Sequence, residues 1–236
     1  MLMSKNYKLL IMAGKIIAID GPAGSGKSTT ARLLASKIGY TFLDTGAMYR
    51  VVAWVALKKG LSVDDGKSLE IIARQVEISF KMDGDINRVF LFGKEMTDEI
   101  RAPEVTKAVS PISVHDGVRA ALVSRQRIMA KDGNIVAEGR DTTSVVFPDA
   151  DLKIFLDASI EERARRRQLE LAKKGIGTDF EELKKDIIER DKRDSGRKNS
   201  PLKKTADAIV VDTTSLTIEE QVERIIRLIK ARILNV

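Results

Sequence analysis

Short apolar runs alternate along the chain with segments of helical periodicity. The runs with the length and composition of buried strands cover residues 16–19, 40–43, 135–137, 152–156 and 208–211. Helical spacing of apolar residues is seen in 28–38, 47–59, 160–174 and 218–234. Such alternation is typical of βαβ units, so the pattern predicts an α/β fold in which helices cover a parallel sheet.

One stretch departs from this rhythm. In residues 76–82, apolar and polar positions alternate strictly, the dipeptide Asp83-Gly84 is a turn signal, and 89–92 can return as a partner strand. The pattern predicts an antiparallel hairpin with one solvent-facing side. We expect it within an insertion at about 61–101, after which a helix at 114–131 leads back to the core.

The predicted organisation follows from these segments. We expect an N-terminal extension at 1–14, a core formed by 15–60 and 102–236, and the inserted subdomain at 61–101 between the two core parts. The chain has 236 residues, with 43% hydrophobic and 32% charged, which is typical of a globular domain and argues against disorder. No apolar run approaches the ~20 residues of a membrane helix, and residues 1–14 lack the features of a secretory signal. The predicted location is the cytoplasm.

Residue usage excludes several kinds of chemistry. The absence of cysteine rules out a disulfide scaffold, a thiolate metal site and a cysteine nucleophile. The single histidine, His115, argues against a multi-histidine metal site or a Ser-His-Asp hydrolase, and we expect it to be a surface or packing residue. The formal net charge of +7 suggests an anionic partner, which could be a polymer, a membrane or a small phosphate compound.

The strongest chemical signal is a phosphate-binding loop. The segment beginning at Gly21 fits G-x-x-x-x-G-K-[ST] between a predicted strand and a predicted helix, where backbone N–H groups and the helix N-terminus favour phosphate. Lys27 can reach the β- and γ-phosphates, and the Ser28 hydroxyl can hold Mg²⁺. Thr29 and Thr30 could supplement Ser28, but plain helix residues are the favoured interpretation. The candidate ATP-binding residues are Gly21, Pro22, Ala23, Gly24, Ser25, Gly26, Lys27, Ser28 and Thr29.

A phosphate loop alone occurs in kinases, GTPases, motors and helicases. The sequence lacks the N-K-x-D type of guanine-binding motif of a GTPase. A motor or helicase usually has a strand that ends in paired acids, and the nearest candidates, Glu138 and Asp157, are not paired. The remaining cationic residues therefore decide the interpretation.

Two segments that carry candidate arginines follow predicted strands. After the second strand comes Asp44-Thr45-Gly46, in which Asp44 or Thr45 can cap a helix that carries Arg50. Gly139-Arg140-Asp141 follows the third core strand, where ligands of open α/β sheets bind. For the first segment, the alternative is a capped helix with one exposed arginine. For the second segment, it is a structural salt bridge.

Two predicted C-terminal helices add further arginines. On the first, Arg163, Arg166 and Arg167 flank an apolar stripe and could clamp transferring phosphates, while Arg165 points away; a solvated basic face is the alternative. On the second, one stripe begins apolar and turns charged, which indicates a helix running from the core into a polar pocket or a salt-bridge ladder. The stripe comprises Leu183, Ile187, Arg190, Asp194 and Arg197. A phosphate loop with separate arginine groups suits phosphoryl transfer between two phosphorylated molecules, as in a nucleoside monophosphate kinase.

At this point the motifs resemble those of the bacterial cytidylate kinase family of P-loop nucleoside monophosphate kinases, over residues 15–236. The matching segments lie, in order, at 17–28, 44–50, 139–141, 146–150, 153–159, 193–195, Arg197 and 200–202. The resemblance implies Mg²⁺-assisted transfer from ATP to CMP and dCMP. It also implies a five-stranded parallel core, a monophosphate-binding region enlarged by an antiparallel sheet, and a short helical lid at about 160–180.

The resemblance also implies residue roles. Lys27, Arg140, Arg163, Arg167 and Arg190 are implied to be catalytic, with Arg163 and Arg167 in the lid. The residues implied to bind CMP divide into base contacts (Thr45, Ser110, Arg119, Asp141, Arg197), phosphate contacts (Arg50, Arg140) and sugar-region contacts (Arg190, Asp194).

The chain departs from the family pattern at 142–144. Many members have a hydrophobic residue and then Gly-Thr after Gly-Arg-Asp, whereas this chain has Thr142-Thr143-Ser144. We therefore expect an altered loop beside Asp141. A kinase for UMP or AMP remains an alternative, and so does an ATP-dependent nucleic-acid-binding protein. Nucleic acid is the less favoured partner because the informative arginines follow strands and one helix stripe, and we expect a monomer that acts on small molecules.

Overall fold

The computed structural model describes residues 14–84, 86–173 and 175–234. Eight strands are described: β1 (Ile16–Asp20), β2 (Thr41–Asp44), β3 (Ile78–Asp83), β4 (Ile86–Leu91), β5 (Lys94–Glu95), β6 (Ile135–Gly139), β7 (Leu152–Asp157) and β8 (Ile209–Asp212). The α-helices are α1 (Lys27–Ile38), α2 (Thr45–Lys58), α3 (Gly66–Gln75), α4 (Pro103–Ile112), α5 (Asp116–Met129), α6 (Ile160–Ala172), α7 (Phe180–Ser195) and α8 (Ile218–Ile229).

The larger sheet has five strands in the order β2-β6-β1-β7-β8. Strand β7 pairs in parallel with both β1 and β8. Parallel neighbours require crossover connections, which here contain helices. Ile17, Ile19 and Ile154 are among its fully buried side chains, which explains why these strands read as continuous apolar runs. The predicted α/β fold with a five-stranded parallel sheet is confirmed.

The smaller sheet is antiparallel, in the order β3-β4-β5. Burial along β3 and β4 alternates, so the predicted hairpin with one wet face is confirmed. Its first strand begins at Ile78 instead of residue 76, because Val76 caps the C-terminus of α3. Helices α3 and α4 were not predicted from the sequence, and the 61–101 boundaries of the insertion stay a prediction.

The chain packs into two compact units. Among the described residues, unit 1 comprises those in 14–15 and 35–137, and unit 2 comprises those in 16–34 and 138–234. Unit 1 contains α2 to α5 and the antiparallel sheet, while unit 2 contains the phosphate loop and α6 to α8. The predicted extension at 1–14 lies outside the described residues apart from Gly14.

Two predicted helices end earlier than their apolar spacing suggested. The α-helix α8 stops at Ile229 and continues as a π-helical turn, and α6 stops at Ala172. Of the helices in the described ranges, none is long and apolar enough to cross a membrane.

Candidate active site

The phosphate loop in unit 2 connects β1 to α1. Gly21 must be glycine, since a Cβ atom there would lie 2.1 Å from the backbone oxygen of Leu156 on β7. Gly24 and Gly26 have φ angles of +77° and +91°, which residues with side chains rarely adopt. The loop therefore turns tightly against the sheet and delivers Lys27 as the first residue of α1.

The carbonyl groups of this loop are held by donors from unit 2. Lys27 Nζ donates to Pro22 O at 3.0 Å, and the Arg163 guanidinium donates to Ala23 O at 3.1 Å. Thr213 Oγ1 donates to Ser25 O at 3.0 Å, and Arg166 donates to the same oxygen. These contacts occupy carbonyl oxygens of the loop and thereby restrain its conformation.

The Lys27 ammonium is buried among charged groups. Burial of the ammonium lowers its pKa to about 7, repulsion from Arg140 and Arg190 adds to this, and attraction to Glu138 and Asp194 opposes it. Such a shift is typical of a cation held in place before its anionic partner arrives. A bound polyanion would stabilise the charged form.

The predicted magnesium ligand contacts an acid at the end of β6. Ser28 Oγ donates to Glu138 Oε1 at 2.8 Å, and Glu138 is buried. The hydroxyl and carboxylate together form the oxygen donor set that Mg²⁺ prefers when nucleotide phosphates complete its coordination. Thr30 is not part of this set, because its hydroxyl donates to Gln221, and Thr29 is exposed.

A cluster of charges lies at the end of α7. Arg140 Nε donates to Asp194 Oδ2 at 2.8 Å, and Arg197 donates to the other carboxylate oxygen. Burial raises the pKa of Asp194, but attraction to Arg140, Arg197 and Arg190 outweighs it and the net pKa is lowered. Asp194 is therefore an ionised, buried anchor for two of the candidate arginines.

The charged stripe predicted on α7 is correct in part. Leu183, Ile187 and Asp194 are buried on one face, as the spacing predicted. The placement of Arg197 on the same helix is wrong, because α7 ends at Ser195 with Gly196 as its cap. Arg197 joins the cluster from the following segment, through its contact with Asp194. Arg190 is exposed but acts electrostatically on Lys27.

The arginines of α6 divide into two pairs. Arg163 is buried and contacts Asp191 and the backbone of Ala158 and Ala23, while Arg166 contacts Thr213 and the phosphate loop. Arg165 and Arg167 instead form partly exposed ion pairs with Glu162 and Glu170. Among these side chains, the arginine that accompanies Arg163 at the loop backbone is Arg166, whereas the role expected for Arg167 stays a prediction.

Of the remaining candidate residues, Asp141 is buried in unit 2, whereas Thr45, Arg50, Ser110 and Arg119 belong to unit 1. Asp44 is the residue that caps α2, accepting from Ala47 N at 2.8 Å, and its carboxylate lies 3.8 Å from Arg50. A Cβ on Gly46 would lie 3.3 Å from the Asp44 carboxylate, so glycine keeps this turn open. Thr45 is buried at the start of α2, and Ser110 lies on α4.

Arg119 of α5 is a buried cation in the same unit. Its guanidinium lies 5.6 Å from the centre of the Tyr49 ring and donates to Ser113 O at 3.2 Å. The ring face and the carbonyl fix its orientation. His115, just before α5, contacts Val63 O at 2.8 Å, which agrees with its predicted packing role.

Sequence reasoning missed the contacts that fix the loop. Asp191 accepts from Ala23 N at 3.2 Å and pairs with Arg163, and Thr213 reaches Ser25. Asp191 directly follows Arg190, yet it is one of many acids on a charged helix. Spacing alone does not mark it, because its partner is 28 residues away.

Comparisons with known proteins identify the family of this chain. The family model for cytidylate kinase matches residues 17–231. The cytidylate kinase of Geobacillus sp. (strain WCH70) is 48% identical over 217 residues, covering 92% of this chain and 97% of that protein. That of Geobacter sp. (strain M21) is 46% identical over 220 residues, covering 93% and 94%.

A solved structure supports the fold alone. The crystal structure of an uncharacterised protein from Eubacterium ventriosum aligns with a TM-score of 0.53 at 13% identity, covering 92% of this chain and 99% of that one. The family match over residues 17–231, together with near-half identity over nine-tenths of the chain, shows that this protein belongs to the cytidylate kinase family.

Proposed function

We propose that the protein transfers the γ-phosphoryl group of ATP to CMP, giving ADP and CDP. The observation that carries this proposal is the second cationic group beside the phosphate loop, in which Arg140 and Arg190 act electrostatically on Lys27. A nucleoside monophosphate kinase must bring two phosphorylated molecules together against their repulsion, and cations beyond those of the loop reduce it. Membership of the cytidylate kinase family supports CMP as the acceptor.

The donor is held by the loop from Gly21 to Thr29. Its N–H groups and the N-terminus of α1 bind phosphate oxygens, and the Lys27 ammonium meets the charge that moves with the transferred group. Arg163 already lies against this loop through Ala23 O, so it is well supported as the lid cation. Arg167 is its proposed companion.

We propose Mg²⁺ as the metal, held by Ser28 with Glu138 beside it. The two side chains are already hydrogen-bonded at 2.8 Å, and their oxygens are suitable donors. When bound, the ion would neutralise part of the charge on the β- and γ-phosphate oxygens. The acceptor phosphate is already anionic, so no side chain is required as a general base.

The proposed CMP contacts are those implied by the family motifs. Cytosine presents a 4-amino donor and the acceptors N3 and O2, which hydroxyl, guanidinium and carboxylate groups can satisfy. Uracil would leave one such group unpaired or opposed, at a cost of about 1–3 kcal/mol. The proposed residues are Thr45, Ser110, Arg119, Asp141 and Arg197 for the base, Arg50 and Arg140 for the phosphate, and Arg190 and Asp194 for the sugar region.

A panel of acceptors tests the function directly. ADP release should be measured with CMP, dCMP, UMP, AMP and GMP at saturating ATP and Mg²⁺. We expect CMP and dCMP to have the highest kcat/KM. Faster turnover of UMP or AMP would overturn the assignment, and salt-sensitive RNA binding without acceptor-dependent ADP release would favour the nucleic-acid alternative.

Arg119→Met gives a residue-level test. Because the guanidinium is buried and fixed over Tyr49, we expect its loss to raise KM for CMP by roughly tenfold or more while KM for ATP stays within about twofold. Arg127→Met, an exposed position on the same helix, is the matched control. Equal effects on both substrates would remove Arg119 from the base site.

The cytoplasmic location and the monomeric state stay predictions.

A further inference from the structure

The carboxylate of Asp20, the last residue of β1, accepts four hydrogen bonds. Its Oδ1 accepts from Thr142 N at 2.9 Å and Thr142 Oγ1 at 2.7 Å. Its Oδ2 accepts from Thr143 N at 2.7 Å and Thr143 Oγ1 at 2.6 Å. Each oxygen thus accepts from the backbone N–H and the hydroxyl of one threonine, Oδ1 from Thr142 and Oδ2 from Thr143.

All three residues are inaccessible to water. Asp20 and Thr142 are 0% exposed, and Thr143 is 1% exposed. A buried carboxylate that lost a donor could not replace it with solvent, so each contact restrains the segment more strongly than a surface contact would. We call Asp20, Thr142 and Thr143 the threonine clamp.

The clamp joins two segments to which the proposed function assigns ligands. Asp20 is followed directly by Gly21 of the phosphate loop, and it sits in register with Phe155 of β7. On the other side, Thr142 directly follows Arg140 and Asp141, the proposed CMP-binding pair. The clamp therefore ties the CMP-binding segment to the strand that carries the phosphate loop.

Other described hydrogen bonds of the segment lie within the turn or lead to α7. Asp141 O accepts from Val145 N and Val146 N, which closes the turn upon itself without fixing it to β1. Arg140 is paired with Asp194, which belongs to α7. Hence, of the side-chain contacts described, those of the clamp are the ones that connect this turn with β1.

We propose that Thr142 and Thr143 are positioning residues for the acceptor: their hydroxyl groups, through Asp20, hold Arg140 and Asp141 at the place where CMP binds. This deepens the proposed function and rests on it. Here two adjacent threonine hydroxyls converge on one buried carboxylate. Misplacement of binding groups by about 1 Å can cost on the order of 10²-fold in rate, so this restraint matters for catalysis as well as folding.

Valine substitutions test the role of the hydroxyl groups without changing the shape of the side chains. Thr142→Val and Thr143→Val remove the hydroxyl and keep the branched shape, leaving both backbone donors to Asp20. We expect each to raise KM for CMP by roughly tenfold, with KM for ATP within about twofold of wild type. Thr142→Ser and Thr143→Ser, which keep the hydroxyl, should restore the wild-type KM for CMP. Thr41→Val, at an exposed position, is the matched control.

Direct binding and stability complete the experiment. The Kd for CMP should be measured calorimetrically for each variant, beside its thermal unfolding midpoint. The proposal is overturned if the valine variants bind CMP like Thr41→Val, if KM for CMP and ATP change equally, or if serine does not rescue. Each valine variant retains three of the four contacts, so its Kd for CMP is measured well below its own unfolding midpoint, and a wild-type Kd there overturns the proposal even if the variant is destabilised.

Failure of the clamp is distinct from failure of the proposed function. If wild-type protein does not phosphorylate CMP, the acceptor is wrong, and the same variants are then compared with the monophosphate that is accepted. If wild-type protein phosphorylates CMP and the valine variants match the Thr41→Val control, the function stands and the clamp does not.

Discussion

Ion pairs in two regions of this protein use the same residue types with different consequences. In unit 2, the phosphate-loop cluster comprises Lys27, Arg140, Arg163, Asp191 and Asp194, and its side chains are largely buried. In unit 1, the hairpin cluster comprises Asp83, Arg88 and Glu95 on β3, β4 and β5, with side-chain exposures of 57%, 34% and 40%.

The difference lies in what else each cation contacts. Arg163 donates to backbone carbonyls as well as to a carboxylate, and Lys27 donates to Pro22 O. Arg88 contacts the two carboxylates of its cluster, which water can replace with little loss. Burial turns a charge network into a fixed electrostatic site, whereas exposure leaves it a modest stabiliser of a hairpin.

Removing the charge at the centre of the buried cluster should have the largest effect. We expect Lys27→Met to lower kcat on the order of 10³-fold, because the ammonium is a buried cation of the proposed phosphate site. Lys37→Met, on the same helix α1, should remain active. Turnover within about tenfold of wild type would contradict a role for Lys27 in the transition state.

Neutralising the anchor of the second cationic group should come next. Asp194→Asn leaves Arg140 and Arg197 without their shared buried carboxylate, so we expect a loss of about 3 kcal/mol in the free energy of unfolding and weaker CMP binding. Denaturant unfolding and CMP titration measure these effects. The control is Asp186→Asn, an exposed position on the same helix. Equal free energies of unfolding for the two variants would show that the ion pairs of Asp194 contribute no more than exposed ones.

The pKa of Lys27 predicts a proton uptake. With a pKa of about 7 in the free protein, Lys27 is mostly neutral at pH 8, and bound ATP should raise that pKa. ATP binding should therefore take up close to one proton, and its Kd should weaken above pH 7 by at most tenfold per pH unit, about 1.4 kcal/mol. Calorimetry at pH 8 in buffers of different ionisation enthalpy counts the protons. If Lys27→Met takes up the same number of protons on binding ATP, the proton is taken up by another group.

The smallest effect is expected in the hairpin cluster. Arg88→Gln removes both exposed ion pairs, yet water can solvate Asp83 and Glu95. We expect unchanged kcat and KM and a slight, salt-dependent decrease in the unfolding midpoint. A decrease comparable with that of Asp194→Asn would show that exposure does not separate the two clusters.

Much of the fold could be predicted from local pattern. The apolar runs located β1, β2, β6, β7 and β8, since fully buried parallel strands have continuous apolar sequences. Helices α3 and α4 escaped prediction because each is only ten residues long. So short a segment leaves few turns in which apolar spacing can be recognised. The end of α7 before Arg197 was likewise decided by Gly196, which periodicity alone does not reveal.

The candidate site was predicted in its composition more than in its contacts. The phosphate loop and the candidate arginines were identified from motif and spacing. The distinction between Arg163 and Arg166, which reach the loop, and Arg165 and Arg167, which do not among the contacts described, depends on which side of α6 packs on the loop. Their neighbouring positions on one helix make them nearly indistinguishable in sequence.

By itself, the sequence determined the phosphate loop, the α/β alternation and the family, because these depend on residues close together in the chain and on their order. Only the tertiary structure decided that Asp20 binds Thr142 and Thr143, which lie 122 and 123 residues away, and that Glu138 meets Ser28. A buried carboxylate must find its donors wherever folding brings them, and sequence spacing carries no record of that meeting.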